Sequence, residues 1–241
     1  MTVVPYKDSD DNKKAQVANM FDNISPKYDL LNRVLSLGID IYWRKQALKF
    51  FKGHQIKLML DIATGTADFA IEAQRSLKVE KVIGVDISEG MLSLGRVKLK
   101  EKNLTSSIEL LSGDSENLQF PDNTFDAITV AFGVRNFENL SKGLKEMHRV
   151  LNPGGAVVIL EFSKPRVFPV KQIYWFYSNT ILPLIGKLIS KDASAYTYLP
   201  ESVQAFPDGK TFTDILASCG FVNTQSKTLT FGIVSAYYGK K

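Results

Sequence analysis

Four short runs in the 241-residue chain bring together residue types that could grip a small ligand. The first is DIATGTAD, Asp61 to Asp68. In it, Gly65 permits a tight turn and close approach of a ligand to the backbone, and the helix expected next offers free N–H groups at its start. The second ends in Asp86, 21 residues after Gly65, where one carboxylate can accept both hydroxyls of a ribose. The third is Gly113-Asp114-Ser115, and the fourth is AFGVRNF (131–137), which carries Arg135. A glycine turn followed by an acid also marks dinucleotide sites, but that fingerprint needs three glycines as G-x-G-x-x-G. This loop reads Gly65-Thr66-Ala67-Asp68-Phe69-Ala70, so a pyrophosphate has no room against the backbone. S-adenosylmethionine, with a ribose and no phosphate, needs the acid and not the further glycines.

These runs require elements that deliver them to one place. From Lys57 onward, short β-branched runs alternate with helix-length segments, the pattern of an open parallel α/β sheet. Strands are expected at Lys57–Ile62, Lys81–Asp86, Ser107–Ser112, Ala127–Ala131 and Ala156–Glu161, and helices at Ala67–Leu77, Glu89–Lys102 and Leu140–Leu151. A further helix, Gly209–Cys219, leads into Phe221–Leu229 and Ile233–Tyr238, spaced for an antiparallel pair. Before Lys57 the apolar spacing is helical over Ala15–Asn23, Pro26–Leu37 and Asp40–Phe51. The expectation is one domain with a mostly parallel seven-stranded sheet: a helical N-terminal cap (1–56), a ligand-binding core (57–163), a lid (164–208) and a C-terminal helix and strand pair (209–241). In such sheets ligands sit at the carboxyl ends of the strands, where all four runs would fall. Asp126 reads as a turn or cap residue.

The single cysteine, Cys219, excludes an internal disulfide and a cysteine-rich zinc site and suggests a reducing compartment. His54 and His148 have no partner at metal-ligand spacing and are expected in water, so no metal is expected. The start has no apolar signal-peptide core, so a cytoplasmic location is expected. The net charge of +5 is carried by residues 164–191, where Lys164, Arg166, Lys171, Lys187 and Lys191 stand among five aromatics with no Asp or Glu. With no arginine-rich tract or appended domain, nucleic acid is not expected. As a helix this stretch would align Val170, Ile173, Tyr174, Tyr177, Ile181, Leu184, Ile185 and Leu188 on one side, kinked at Pro183. It is too short and interrupted to span a bilayer. Two roles stay open: a lid lying on an anionic membrane surface, or a core helix with its lysines in water.

Longer stretches carry a family resemblance. DIATGTAD, GVDIS, GDSENLQFPDNTFDAITV and RVLNPGGAVVILE follow the order and spacing of class I methyltransferases, which have a Rossmann-like fold. YDLLNRVLSLGIDIYWR (28–44), FGVRNF (132–137) and RVLNPGGAVVILEFS (149–163) resemble the signatures of the UbiE/MenG family of quinone-ring C-methyltransferases, from about Val17 to the C-terminus. The resemblance implies S-adenosylmethionine as methyl donor, with Asp86 on its ribose, Asp114 and Ser115 at its adenine, the Thr64-Gly65-Thr66 turn on its methionine portion, and Asp61 on its amino group. It implies a prenylated quinol as methyl acceptor, demethylmenaquinol being favoured by the Gly65-Thr66-Ala67-Asp68 variant.

Carbon is a poor nucleophile unless the ring is reduced and loses a hydroxyl proton. At a phenol-like pKa that ionisation costs roughly 4 kcal/mol at neutral pH. One charge-assisted bond from Arg135 returns about 1.5–3 kcal/mol, so Asn136 and Tyr28 are candidates for further bonds to the ring oxygens. The ring proton then leaves to a water or to a carboxylate such as Asp29. The competing reading of Arg135 is a surface salt bridge. Three residues depart from the family pattern: Asp40 for the usual His, Ala67 for a common second Gly, and Asn152 for a usual Lys. The rival functions are ubiquinone-branch C-methylation, another small-molecule O- or N-methylation, and donor binding without turnover.

Overall fold

The computed structural model describes residues 3–181 and 194–241. Seven strands form one sheet: β1 (Leu58–Ile62), β2 (Lys81–Asp86), β3 (Ile108–Ser112), β4 (Phe125–Ala131), β5 (Leu151–Phe162), β6 (Val222–Leu229) and β7 (Val234–Lys240). Their spatial order is β3-β2-β1-β4-β5-β7-β6. The first five pair in parallel, and β7 runs antiparallel between β5 and β6, so the C-terminal pair forms as its spacing predicts.

The central strands are nearly continuous apolar runs because helices cover both faces. Helices α1 (Lys13–Ile24), α2 (Tyr28–Leu35) and α3 (Ile39–Leu48) precede the sheet. Between and after the strands come α4 (Asp68–Leu77), α5 (Glu89–Glu101), α6 (Leu140–Val150), α7 (Val170–Phe176), α8 (Ser194–Ala205) and α9 (Lys210–Ser218). On one face Trp43 of α3, Phe69 of α4 and Leu92 of α5 pack on Met59, Val158 and Leu160. On the other, Leu144 and Met147 of α6 and Phe212 and Leu216 of α9 pack on Leu60, Ile128 and Tyr237. Helix α1 begins where Asn12 accepts a hydrogen bond from the Ala15 N–H, and its Val17 and Met20 pack with Tyr196 and Tyr198 of α8.

Three expectations need correction. Strands β4 and β5 begin earlier than Ala127 and Ala156, because Phe125 is fully buried and pairs with Leu151 before the register slips at a bulge. Pro153-Gly154-Gly155 thus belongs to the strand: Gly154 has φ +83°, and a Cβ on Gly155 would lie 2.9 Å from the carbonyl oxygens of Asn152 and Asp126. His54 and His148 are not simply solvated. His54 lies edge-on to Phe51 and within 3.3 Å of the Tyr238 hydroxyl, and His148 lies edge-on to Phe221, each with its pKa lowered by burial and a nearby lysine. In the basic aromatic stretch the expected single helix is interrupted, because α7 passes into a wider turn at Tyr177–Ile181; Ile173, on the apolar side, is 63% exposed. The expected continuation through Pro183, Leu184, Ile185, Lys187, Leu188 and Lys191 lies outside the described residues. Asp126 does hold a structural position: its carboxylate accepts the Lys57 and Leu58 N–H groups at 2.9 and 3.0 Å.

The two bulge glycines should fail for different reasons. Nothing lies within 4 Å of a Cβ on Gly154, so G154A should lose only the cost of a left-handed alanine, about 1 kcal/mol. G155A meets backbone on two sides and should lose about 1–3 kcal/mol. Urea unfolding measures both, and a G155A midpoint equal to wild type would show that the bulge can widen freely.

Candidate functional site

Strands β1 and β4 are neighbours whose chains lead off to opposite sides of the sheet, which opens a crevice at their carboxyl ends. A cleft of about 710 Å³ lies there, lined among others by Gly65, Asp86, Asp114, Ser115, Asn136 and Phe137. A smaller recess of about 370 Å³ adjoins it, with Tyr28, Ala63, Gly65 and Phe132 common to both and Asp61, Thr64, Thr66 and Arg44 in its wall. The strand-end residues expected from sequence therefore do meet.

The turn after β1 is tightly wound, with Ala63, Gly65 and Ala67 all at positive φ (52°, 55° and 68°). Two carboxylates hold it. Asp86 accepts the Gly65 N–H at 2.7 Å and the Ser88 N–H at 2.9 Å, tying the end of β2 to the turn after β1. Asp61 accepts the hydroxyls of Thr64 at 2.6 Å and Thr129 at 2.7 Å. Both are buried, and burial raises both pKa values, that of Asp61 to about 6. A cation beside Asp61 would be bound most strongly by its ionised form.

Helix α1 roofs the cleft. Lys14 pairs with Asp114 at 2.7 Å, while Asp114 also accepts the Glu116 N–H. Lys13 donates to the carbonyls of Arg135 and Phe137 at 3.2 and 2.9 Å, and Asp22 accepts from the Ser88 hydroxyl and the Gly90 N–H at 2.6 and 2.9 Å. Helix α2 brings Tyr28 to the cleft and the recess, edge-on to Phe21, with burial raising its pKa. Asp29 behaves differently: it accepts the Thr66 hydroxyl and pairs with Lys98, both at 2.6 Å, so it braces the turn and is not among the residues lining the cleft.

Arg135 is not a surface residue. It lies in the short turn Val134–Asn136 after β4, its side chain 8% exposed, paired at 2.8 Å with Glu161, which is fully buried on β5. Its guanidinium also bonds the Phe132 carbonyl and sits 5.5 Å from the centre of the Phe162 ring, and its Nε is buried with no partner among the described residues. Burial raises the pKa of Glu161, and the charge of Arg135 opposes that rise. Asn136 lines the cleft itself and accepts a 3.1 Å bond from the Tyr198 hydroxyl, whose pKa burial pushes up to about 12.

Sequence reasoning missed Glu161, Tyr198, Lys13, Lys14 and Arg44. A signal existed for Glu161, since a carboxylate inside the apolar run Val157–Phe162 must find a partner or be neutralised. None existed for Lys13, Lys14 or Tyr198, whose partners lie far away in the chain.

Val85, Ile87 and Met91 give the cleft an apolar wall suited to a flat base, beside a buried acid placed for vicinal hydroxyls. The recess adds a buried acid and a buried arginine, suited to a charged tail. Among the described residues no group of three or more His, Cys, Asp or Glu could hold a metal. These features fit S-adenosylmethionine.

Residues 8–241 match the ubiE/COQ5 methyltransferase family. The chain is 50% identical to the demethylmenaquinone methyltransferase of Bacteroides fragilis, over 99% of this chain and 97% of that one. It is 47% identical to the ubiquinone/menaquinone biosynthesis C-methyltransferase UbiE of Geotalea daltonii, over 95% and 97%. Among solved structures it resembles an S-adenosylmethionine-dependent methyltransferase of Thermotoga maritima, described as a possible histamine N-methyltransferase, with a TM-score of 0.66, 18% identity and coverage of 93% and 99%. That likeness shows a Rossmann-like methyltransferase fold.

The raised pKa of Asp61 has a testable sign. Its folded value of about 6 exceeds the unfolded 3.8, so its contribution is fully present below pH 3.8 and is lost as pH rises through 6. D61N should remove that slope, and the difference between variant and wild-type stability should change by roughly 2 kcal/mol between pH 4 and pH 7. Thermal melts across that range measure it; parallel curves for the two proteins would place the ionisation elsewhere.

Proposed function

The chain belongs to the ubiE/COQ5 methyltransferase family, and on that premise we propose that it transfers a methyl group from S-adenosylmethionine to the ring carbon of demethylmenaquinol, giving menaquinol. The observation that carries this reading is the turn after β4, which sets Asn136 in the wall of the donor cleft with Arg135 immediately beside it. The demethylmenaquinone methyltransferase of Bacteroides fragilis, at 50% identity, supports the menaquinone branch over the ubiquinone branch.

S-adenosylmethionine supplies an electrophilic methyl group, and Asp86, the Thr64–Thr66 turn, Asp61, Asp114 and Ser115 hold it. Arg135, Asn136 and Tyr28 act on the acceptor ring. Glu161 and the Phe132 carbonyl both hold Nη1 of Arg135, leaving the buried Nε–H as a donor to the ring oxygen. Because Glu161 offsets much of the positive charge, direction matters more than net charge. The Tyr198 hydroxyl donates to Asn136 Oδ1, and Asn136 Nδ2 gives one N–H to the Phe132 carbonyl at 3.4 Å, so its other N–H remains to share the load on the ring oxygens. Together these bonds offset the roughly 4 kcal/mol of ring ionisation that one arginine cannot. Asp29 is bonded to Lys98 and the Thr66 hydroxyl and does not line the cleft, so the ring proton leaves to water.

A prenylated acceptor sits in a bilayer, and no helix among the described residues is long and apolar enough to cross one. The segment around α7 is suited to lie on the surface instead. Phe168, Ile173 and Trp175 are 77%, 63% and 62% exposed beside Lys171, although Lys164 and Arg166 are drawn toward Asp208 at 3.6 and 3.2 Å. Exchanging Lys171 and Lys187 for Gln should weaken binding to anionic vesicles, each charge being worth about 1 kcal/mol near the surface. Activity should fall on a long-tailed quinol and persist on a short-tailed one. Equal activity of variant and parent on the long-tailed substrate, at low and high salt, would remove the membrane role.

The reaction itself is tested with labelled S-adenosylmethionine and reduced demethylmenaquinol, with mass spectrometry locating the methyl group on ring carbon. R135K keeps the charge but loses the planar fork. Turnover should drop at least tenfold with donor affinity nearly unchanged; a loss under about threefold would mean that Arg135 does not act on the ring oxygen.

A further inference from the structure

Arg44 on α3 is a buried cation that none of the roles above uses. Its side chain is 9% exposed and lines the recess with Asp61, Thr64, Gly65 and Thr66. Its nitrogens are engaged unevenly. Nη1 is held at 2.5 Å by Asp40, one helical turn earlier. Nη2 is 3.7 Å from Asp68, an ion-pair distance beyond a hydrogen bond, and Nε is buried with no hydrogen-bond partner among the described residues. Asp40 itself is thoroughly bound, accepting also from Arg33 and the Ser36 hydroxyl, both at 2.9 Å. Asp68 is likewise occupied by Lys98 at 2.7 Å. Asp40 therefore anchors one corner of the guanidinium and leaves the Nε–Nη2 edge for something else. That edge offers two parallel N–H groups, the geometry that matches a carboxylate bidentately. A buried, unpaired N–H is costly, which is the signature of a donor awaiting a ligand.

We propose that Arg44 binds the carboxylate of the donor's methionine portion through its Nε–Nη2 edge, and that Asp40, where the chain departs from the usual histidine, is the positioning residue that turns that edge to the recess. The proposal rests on the reading of the cleft as an S-adenosylmethionine site. The recess then has a negative group, Asp61, for the ligand's ammonium and a positive one, Arg44, for its carboxylate. An amino-acid zwitterion is recognised from both ends, and a nucleoside lacking that tail is not.

The test is calorimetry without any methyl acceptor, using S-adenosylmethionine, S-adenosylhomocysteine, decarboxylated S-adenosylmethionine and methylthioadenosine. Decarboxylated S-adenosylmethionine keeps the sulfonium and the amine, so it isolates the carboxylate. Wild type should bind S-adenosylmethionine about 10- to 100-fold more tightly than the decarboxylated form. R44M should lose that advantage while binding the decarboxylated form and methylthioadenosine as wild type does. R44K, which keeps the charge and is the variant to use if R44M does not fold, should lose most of it too, because it lacks the fork. D40N should lose a smaller part, again confined to the two carboxylate-bearing ligands. Equal weakening of all four ligands in R44K would make Arg44 a structural residue, and an unchanged preference would exclude it from the carboxylate; either result overturns the proposal. Failure of wild type to bind S-adenosylmethionine at all would instead overturn the reading of the donor site on which it rests, and the proposal with it.

Discussion

The bond from the Gly65 N–H to the Asp86 carboxylate joins the ends of two adjacent parallel strands, and the remaining site geometry is built outward from it. A carboxylate buried in this way is unfavourable unless donors surround it. Asp86 meets that demand with two backbone N–H groups, and Asp61 does the same with two threonine hydroxyls. The donors come from Ser88 at the cap of α5, from β4 and from the turn itself, so satisfying the acids also fixes the distances between strand ends. The left-handed run at Ala63, Gly65 and Ala67 is held by the same contacts. An alanine at φ +68° is strained by about 1–2 kcal/mol, and the departure from glycine at this position is thus borne by the bonded turn around it.

Electrostatic pairing is layered around that centre. Arg135 with Glu161 and Arg44 with Asp40 are both buried pairs, and buried pairs add little net stability by themselves. What they provide is orientation, because each carboxylate takes Nη1 of its arginine and leaves Nε without a hydrogen-bond partner among the described residues. The first pair stands beside Asn136 in the cleft wall, and Arg44 of the second lines the adjoining recess. Lys98 plays a related part for Asp29 and Asp68, gathering two carboxylates onto one ammonium at the start of α4.

The parallel core was legible in the sequence because apolar runs of strand length alternate with helices, and because a glycine or acid marks each strand end. The early starts of β4 and β5 were not, since Pro153-Gly154-Gly155 carries the composition of a turn while its backbone continues a strand through a bulge. Asp61 and Asp86 could be placed at strand ends from the sequence, but their bonding partners could not. Asp40 and Arg44 are four residues apart on α3, a spacing readable as a helix pair, yet nothing local reveals that the pair is buried or that Nε is left over. Lys13, Lys14 and Tyr198 reach partners between 62 and 124 residues away, contacts that only the folded chain defines.

Helix α1 touches both walls of the cleft through consecutive lysines and fastens to the start of α5 through Asp22. A roof clamped by charged contacts at three points shields the cleft from bulk water and narrows the passage for a nucleoside. Residence time and catalytic dryness are thereby set by the same few bonds: tightening them keeps the donor longer but delays the exit of the spent nucleoside. Shortening the chain from its N-terminal end past Lys13 would trade one for the other, making exchange faster and the interior wetter.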